Sequence, residues 1–200
     1  MSMTTIELPS DLSARLAKQA ESDMQFEGIS RNQNIPRLVP AAVLMPLIRL
    51  GEQWHLVYTL RSVHLHDHSG QVSFPGGSWE EGDTDIIQTA LREAREEIGL
   101  DPAAARVLGC MARMAMITRF VVTPVVAVVD WPTPLTVNPD EVDRVFSIPL
   151  DWLADPINRE YRVHTHEGTD FDVLYFKQYD GETVWGATAR MTSDFLQMLA

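Results

Sequence analysis

The chain has one cysteine in 200 residues, Cys110, so no internal disulfide is available and the fold must rest on its core. A lone thiol fits a reducing compartment, and Cys110 is expected to be a small hydrophobe in a strand. Basic residues are scarce too: 16 Lys and Arg stand against 28 Asp and Glu, a net charge of −12. That balance argues against a nucleic-acid polymer as partner, because phosphate backbones favour basic surfaces. It leaves room for a small anionic substrate carried by divalent metal and a few local arginines. Long hydrophobic runs are also missing. The longest, Phe120 to Val129, is far short of the roughly 20 residues of a spanning helix, and Thr123-Pro124 interrupts it. The opening Met-Ser-Met-Thr-Thr-Ile-Glu has neither a basic region nor an apolar run, so no membrane association and a cytoplasmic location are expected.

What is present suffices for one domain. A hydrophobic fraction of 45% supports a core, with spare chain for an N-terminal helix and arm over residues 1–37 ahead of a domain over residues 38–200. Ser10 can cap a helix over residues 11–20 that turns Leu12 and Leu16 inward, and residues 21–37 read as an arm or linker. Runs at 41–48 and 54–60 are β-like and separated by Gly51. Glycines at 70, 76, 77 and 82 mark a long loop. Later strands are predicted at 105–117, 121–130, 142–148, 173–179 and 182–185, with Asp180-Gly181 as a hairpin turn, and a last helix at 187–199. Strands with a helix in the middle and one at the end give an α/β (α+β) layered fold.

The helix after the glycine loop carries the chemistry. In Arg92-Glu93-Ala94-Arg95-Glu96-Glu97-Ile98-Gly99-Leu100, about 100° per residue clusters Glu93, Glu96 and Glu97, while Ile87, Leu91, Ala94 and Ile98 form an apolar stripe. Like charges so close repel by roughly 0.2–0.5 kcal/mol per pair. Hard oxygen donors on one surface suit Mg²⁺ or Mn²⁺, although three glutamates alone also fit a solvated acidic face. Asp85 is placed to cap this helix, with Gln88 completing a capping box, and Gly99 to end it.

Upstream, Phe74-Pro75-Gly76-Gly77 precedes Asp83, which precedes Arg92-Glu93. The whole resembles the Nudix box. Asp83 stands where the common form has Glu, the segment before Arg92 is one residue longer, and Ala94 is a small version of an aliphatic position. The Asp and the extra residue resemble the coenzyme A pyrophosphatase branch. So does a second motif: Thr59, Arg61-Ser62, His66, Gly70 and Phe74-Pro75-Gly76-Gly77 match that branch's signature except at His66, where the branch has Arg or Lys.

The resemblance implies an α/β/α sandwich with a mixed sheet and a metal-dependent pyrophosphohydrolase. It implies Mg²⁺ or Mn²⁺ held by Glu93, Glu96, Glu97 and the carbonyl of Gly76. Catalytic candidates are Glu96, Glu97 and Glu141, the last from the loop Asn138-Pro139-Asp140-Glu141, which also reads as a solvent-facing acid. Arg61, Ser62, His66, Gly70 and Phe74 are candidate substrate contacts, and Arg92, Gly77 and Asp83 candidate supports. The implied partner is a small nucleotide of the coenzyme A class, cleaved to 3′,5′-ADP and (acyl-)4′-phosphopantetheine; a homodimer stays open. Another substrate, an ADP-sugar or a dinucleotide, is the alternative that His66 keeps alive. A binding module without turnover is disfavoured because all three box glutamates are present. The alternation of His64, His66 and His68 is poor evidence for zinc, which prefers four fixed ligands, often with cysteine. Trp79 reads as a stacking surface or as a packing anchor, and Trp185-Gly186-Ala187-Thr188-Ala189-Arg190 resembles a C-terminal segment of the family.

His66 generates a test. An imidazole contact to phosphate needs the charged form, which fades above roughly pH 6.5. His66→Arg should lower the KM for coenzyme A at pH 8 several-fold, about 1 kcal/mol, with kcat nearly unchanged. Steady-state kinetics check this, and an unmoved KM removes His66 from the phosphate contacts.

Overall fold

The computed structural model describes residues 5–27, 38–64, 69–116, 119–166 and 168–200. In chain order the elements are α1 (Leu12–Glu27), β1 (Val39–Leu50), β2 (Gln53–Arg61), β3 (Val72–Ser73), β4 (Gly76–Ser78), α2 (Ile86–Ile98), β5 (Ala105–Cys110), β6 (Met114–Ala115), β7 (Phe120–Val129), β8 (Val142–Pro149), α3 (Leu150–Ala154), β9 (Arg159–His166), β10 (Thr169–Phe176) and α4 (Gly186–Leu199). Eight strands form a mixed sheet, in which β1 and β7 run parallel and the other pairs antiparallel.

Strand β1 explains the layering. Its odd positions Ala41, Met45 and Leu47 enter one core cluster, and its even positions Ala42, Leu44 and Ile48 enter another. Side chains alternate across a strand, so a strand apolar at both parities must be covered on both faces. Helix α2 covers one face through Ala90, Ala94 and Ile98. Leu12 and Leu16 of α1, with Met191, Phe195 and Leu196 of α4, cover the other. The result is the mixed α/β sandwich.

The sheet is split where the site lies. β1 and β2 pair only between Leu47–Leu50 and Gln53–Leu56. Beyond that they part, β4 pairs with β1 at Ala41–Val43, and β3 pairs with β2 at Thr59–Leu60. The glycine loop is thereby hydrogen-bonded into the gap. Phe74 anchors it, stacked on Tyr58 with ring centroids 4.8 Å apart.

Several elements differ from expectation. The first helix runs on to Glu27, and Leu16 is wholly buried in the same cluster as Met45 and Phe195, so the N-terminal helix shares the core of the segment after residue 38. The strand expected over 105–117 breaks into β5 and β6. In place of a strand at 182–185 there are isolated bridges, Tyr179 with Glu182 and Tyr175 with Trp185. The hairpin partner β9 and the short helix α3 were not foreseen.

Leu16 also closes on β5, where a Cβ at Gly109 would lie 2.8 Å from the Leu16 Cβ. Leu16→Ala should therefore cost about 2–5 kcal/mol, as for other fully buried leucines. Urea denaturation measures it, and a loss under about 0.5 kcal/mol, a surface-like value, would show α1 to be dispensable to the core.

Candidate active site

Local sequence sets the box helix. Asp85 takes the Gln88 N–H at 2.8 Å, and the Gln88 amide oxygen accepts instead from Thr84, N–H at 2.8 Å and hydroxyl at 2.6 Å. The cap is therefore shifted by one residue from the reciprocal box. At the other end Gly99 is left-handed (φ 67°) and returns its N–H to the helix carbonyls. The two ends fix the register that brings Arg92, Glu93, Glu96 and Glu97 to the glycine loop.

Arg92 holds loop and helix together. Its Nε and Nη2 meet the two oxygens of Asp83 at 3.0 and 3.1 Å. Nη2 also donates to the Ser78 carbonyl at 2.9 Å, and Nη1 donates to Glu93 and Glu96 at 3.0 Å each. Asp83 is buried and further accepts from the Glu80 N–H at 3.1 Å and the Thr89 hydroxyl at 2.8 Å. The Arg92 bond, outweighing burial and backed by these donors, holds its carboxyl down at about 2. Trp79 is 42% exposed, and its indole N–H donates to the Asp83 carbonyl at 3.2 Å, so it anchors the same loop.

Glu97 differs from its neighbours. Its side chain is 3% exposed, against 14% for Glu93 and 53% for Glu96. One oxygen accepts from the Gly76 N–H at 3.3 Å, and the other lies 3.7 Å from Arg61 Nη1. Burial is the main cause that pushes its pKa up to about 8; Arg61 opposes this, and the charges of Glu93 and Glu141 add to it. Burial likewise raises Glu93 against the pull of Arg92, with Glu96 and Glu141 contributing. The glycines make this packing possible. A Cβ on Gly77 would sit 2.4 Å from the Glu93 carboxylate, and one on Gly76 would sit 2.3 Å from the Ala42 carbonyl oxygen.

Glu141 arrives from a distant loop by way of backbone bonds. Thr136 N–H donates to the Ile98 carbonyl and Asn138 N–H to the Glu97 carbonyl, each at 2.9 Å, which ties the loop to the end of α2. The Asn138 side chain then holds a Glu141 oxygen at 3.0 Å. Asn138 and Thr89 are positioning residues that the motif reading passed over. Asn138 opens the quoted loop and so had a signal, whereas nothing in sequence marked Thr89.

The substrate candidates divide. Arg61 faces Glu97, and its Nε is buried with no hydrogen-bond partner among the described residues. Gly70 (φ 66°) donates its N–H to the Arg61 carbonyl at 3.1 Å and closes the loop. Ser62 and Phe74, expected as substrate contacts, are buried instead. Ser62 links Arg61 to Glu141 through its N–H, at 2.9 Å to the Glu141 carbonyl, and Phe74 packs on Tyr58. Their side chains brace the loop because the strands close over them. His66 and His68 lie outside the described residues.

The donor set fits a divalent ion. The charge of Glu141 adds to the cost of ionising Glu93 and Glu97, that of Glu93 adds to the cost at Glu97, and the buried Glu97 has one N–H and a distant guanidinium for compensation. Among the described residues, no three His, Cys, Asp or Glu groups converge on one point. No helix among them is long and apolar enough to cross a membrane.

Comparison with known proteins agrees with this geometry. The chain is 39% identical over 149 residues to "Uncharacterized Nudix hydrolase NudL" of Escherichia coli O7:K1, covering 74% of this chain and 77% of that one. The protein of the same name from Escherichia fergusonii is 38% identical over the same lengths. In fold it is similar to DR0079 from Deinococcus radiodurans, with a TM-score of 0.51 over 82% of this chain and 88% of that one at 16% identity. Residues 38–167 match the NUDIX domain, the segment that holds the glycine loop, the box helix and Glu141. With both the box and its three-dimensional setting in place, the chain belongs to the Nudix hydrolases, enzymes of the pyrophosphatase type that generally use divalent ions such as Mg²⁺ or Mn²⁺.

Proposed function

We propose that this hydrolase cleaves the diphosphate linkage of coenzyme A or an acyl derivative, giving 3′,5′-ADP and (acyl-)4′-phosphopantetheine. The observation that carries the reading is the 3.7 Å approach of Arg61 to Glu97, which joins the 59–77 signature to the box helix in one site. Glu93 and Glu97 would hold the metal, with Glu96 and the Gly76 carbonyl adding donors. When bound, Mg²⁺ or Mn²⁺ neutralises diphosphate oxygens and acidifies water. Arg61 then supplies N–H donors to a phosphate, a group that guanidinium recognises in bidentate fashion. Glu141 takes the proton of the attacking water as its oxygen bonds to phosphorus and the bridging P–O bond breaks. Arg92 and Asp83 keep the loop in place and take no part in bond breaking. The proposed domain begins near residue 38, with α1 packed on it, and the proposed location is the cytoplasm.

With Mg²⁺ or Mn²⁺, and with products resolved by mass, coenzyme A should exceed ADP-ribose and diadenosine compounds in kcat/KM. Ready hydrolysis of ADP-ribose with none of coenzyme A would replace this substrate by an ADP-sugar. Glu97→Gln should lower kcat at least about a hundredfold, roughly 2.7 kcal/mol in barrier. Retention of more than about a tenth of the wild-type kcat (under about 1.4 kcal/mol) at saturating Mg²⁺ would sink the metal role.

Stability should report the same carboxylate. The folded pKa of Glu97, about 8, lies above its ordinary 4.5, so folding favours the protonated form. Its contribution is full below the ordinary value and is lost as pH rises through about 8. In EDTA the Tm should fall across about pH 5 to 8, and Glu97→Gln should flatten that fall. Mg²⁺ added at about pH 8 should raise the wild-type Tm more than the variant's. Equal slopes in EDTA for the two proteins would contradict the burial argument.

A further inference from the structure

On the face of the sheet away from α2, a cleft of about 920 Å³ opens between α1, the 112–115 segment and α4. Arg15, Lys18, Arg113 and Arg190 line it, with Asp194 as the carboxylate of the lining among the described residues. A quarter of the chain's 16 basic residues thus meet in one concavity of a protein with net charge −12. Such clustering raises a local positive field that a concave, low-dielectric wall concentrates. The cations come from three elements, so the helices and the strand segment present them together. Arg15 is fixed by donating Nη1 to the Met198 carbonyl at 2.7 Å and Nε to Asp11 at 3.1 Å, and Arg190 by donating Nε to both Asp194 oxygens at 2.9 and 3.0 Å.

Gln19 and Gln197 add side-chain amides to the lining. Met114 and Met198 supply apolar wall. None of the residues assigned above to metal, phosphate or proton transfer lines this space.

We propose that the cleft is a second binding site, separate from the hydrolytic centre, for a phosphorylated small molecule with two or more negative charges. Phosphate oxygens meet the guanidinium groups, for which three arginines are better suited than lysines. The organic body lies on the methionines. The volume is within the usual range for small-molecule sites, about 300–1,000 Å³. The site does not depend on which diphosphate the enzyme hydrolyses.

The test uses ADP as probe, titrated calorimetrically in EDTA into the full chain. Wild type should show one saturable site. The double variant Arg113→Gln, Arg190→Gln should bind at least about tenfold more weakly, with kcat and KM for the hydrolysed substrate unchanged in Mg²⁺. Arg190→Gln alone, at a side chain 67% exposed, should keep the fold by circular dichroism and still weaken ADP. Absence of saturable binding, or equal affinity in the variants, overturns the proposal. A rise in substrate KM alongside the loss of ADP would make the cleft part of the hydrolytic site and overturns it too.

Discussion

The site depends on one guanidinium. Arginine has five N–H donors, and Arg92 directs them to both oxygens of Asp83, the Ser78 carbonyl, Glu93 and Glu96. This joins three things that would otherwise separate: the buried Asp83, the end of the glycine loop and the acidic face of α2. Removing one partner of a buried, hydrogen-bonded pair is far more damaging than the pair's net worth, because the remaining charge is left uncompensated. The arrangement therefore specifies loop position more than it adds stability, and Asp in place of Glu at position 83 accompanies a tether drawn close to the helix.

Charge is distributed unequally around that hub. Glu96 is half exposed to solvent, whereas Glu97 is buried with a single N–H and a guanidinium 3.7 Å away. Burial makes a carboxylate a stronger ligand and a poorer resident, since its ionised form loses water. A divalent ion answers both conditions. The loop that brings Glu141 adds negative charge to the same place and is secured by main-chain bonds to the carbonyls of Glu97 and Ile98, so the acid from afar follows the helix end.

Local signals were readable where the physics is local. The caps at Asp85 and Gly99, the apolar stripe Ala94–Ile98 and the β-like run of β1 depend on neighbours in sequence, and each is found in the fold. Two core faces on one strand were also implicit in its unbroken apolar run. Tertiary pairing was less legible. Residues 160–166 do alternate, Glu160, Arg162, His164 and His166 against Tyr161, Val163 and Thr165, but none of them is buried and no core face marks them, yet they pair with 169–176 throughout. Ser62 and Phe74 look like contacts in a motif, and only the closing of β2 and β3 over them shows that their side chains face inward. Gln88 kept the cap and changed its partner, since Thr84 offers a hydroxyl beside its N–H.

The gap between β1 and β2 has a bearing on how such an enzyme can diversify. Its lower part is filled by β3 and β4, zipped to both strands, so an inserted residue there would shift side chains to the wrong face of the sheet. Above it, Arg61 and Gly70–Gln71 exchange backbone hydrogen bonds and form a closed neck. Residues just past the neck are still tied in, since the Ser62 N–H donates to the Glu141 carbonyl and the Val63 N–H to the Asp143 carboxylate. Drift in sequence is therefore constrained on both sides of the neck, and the loop that carries Glu141 must change in step with it.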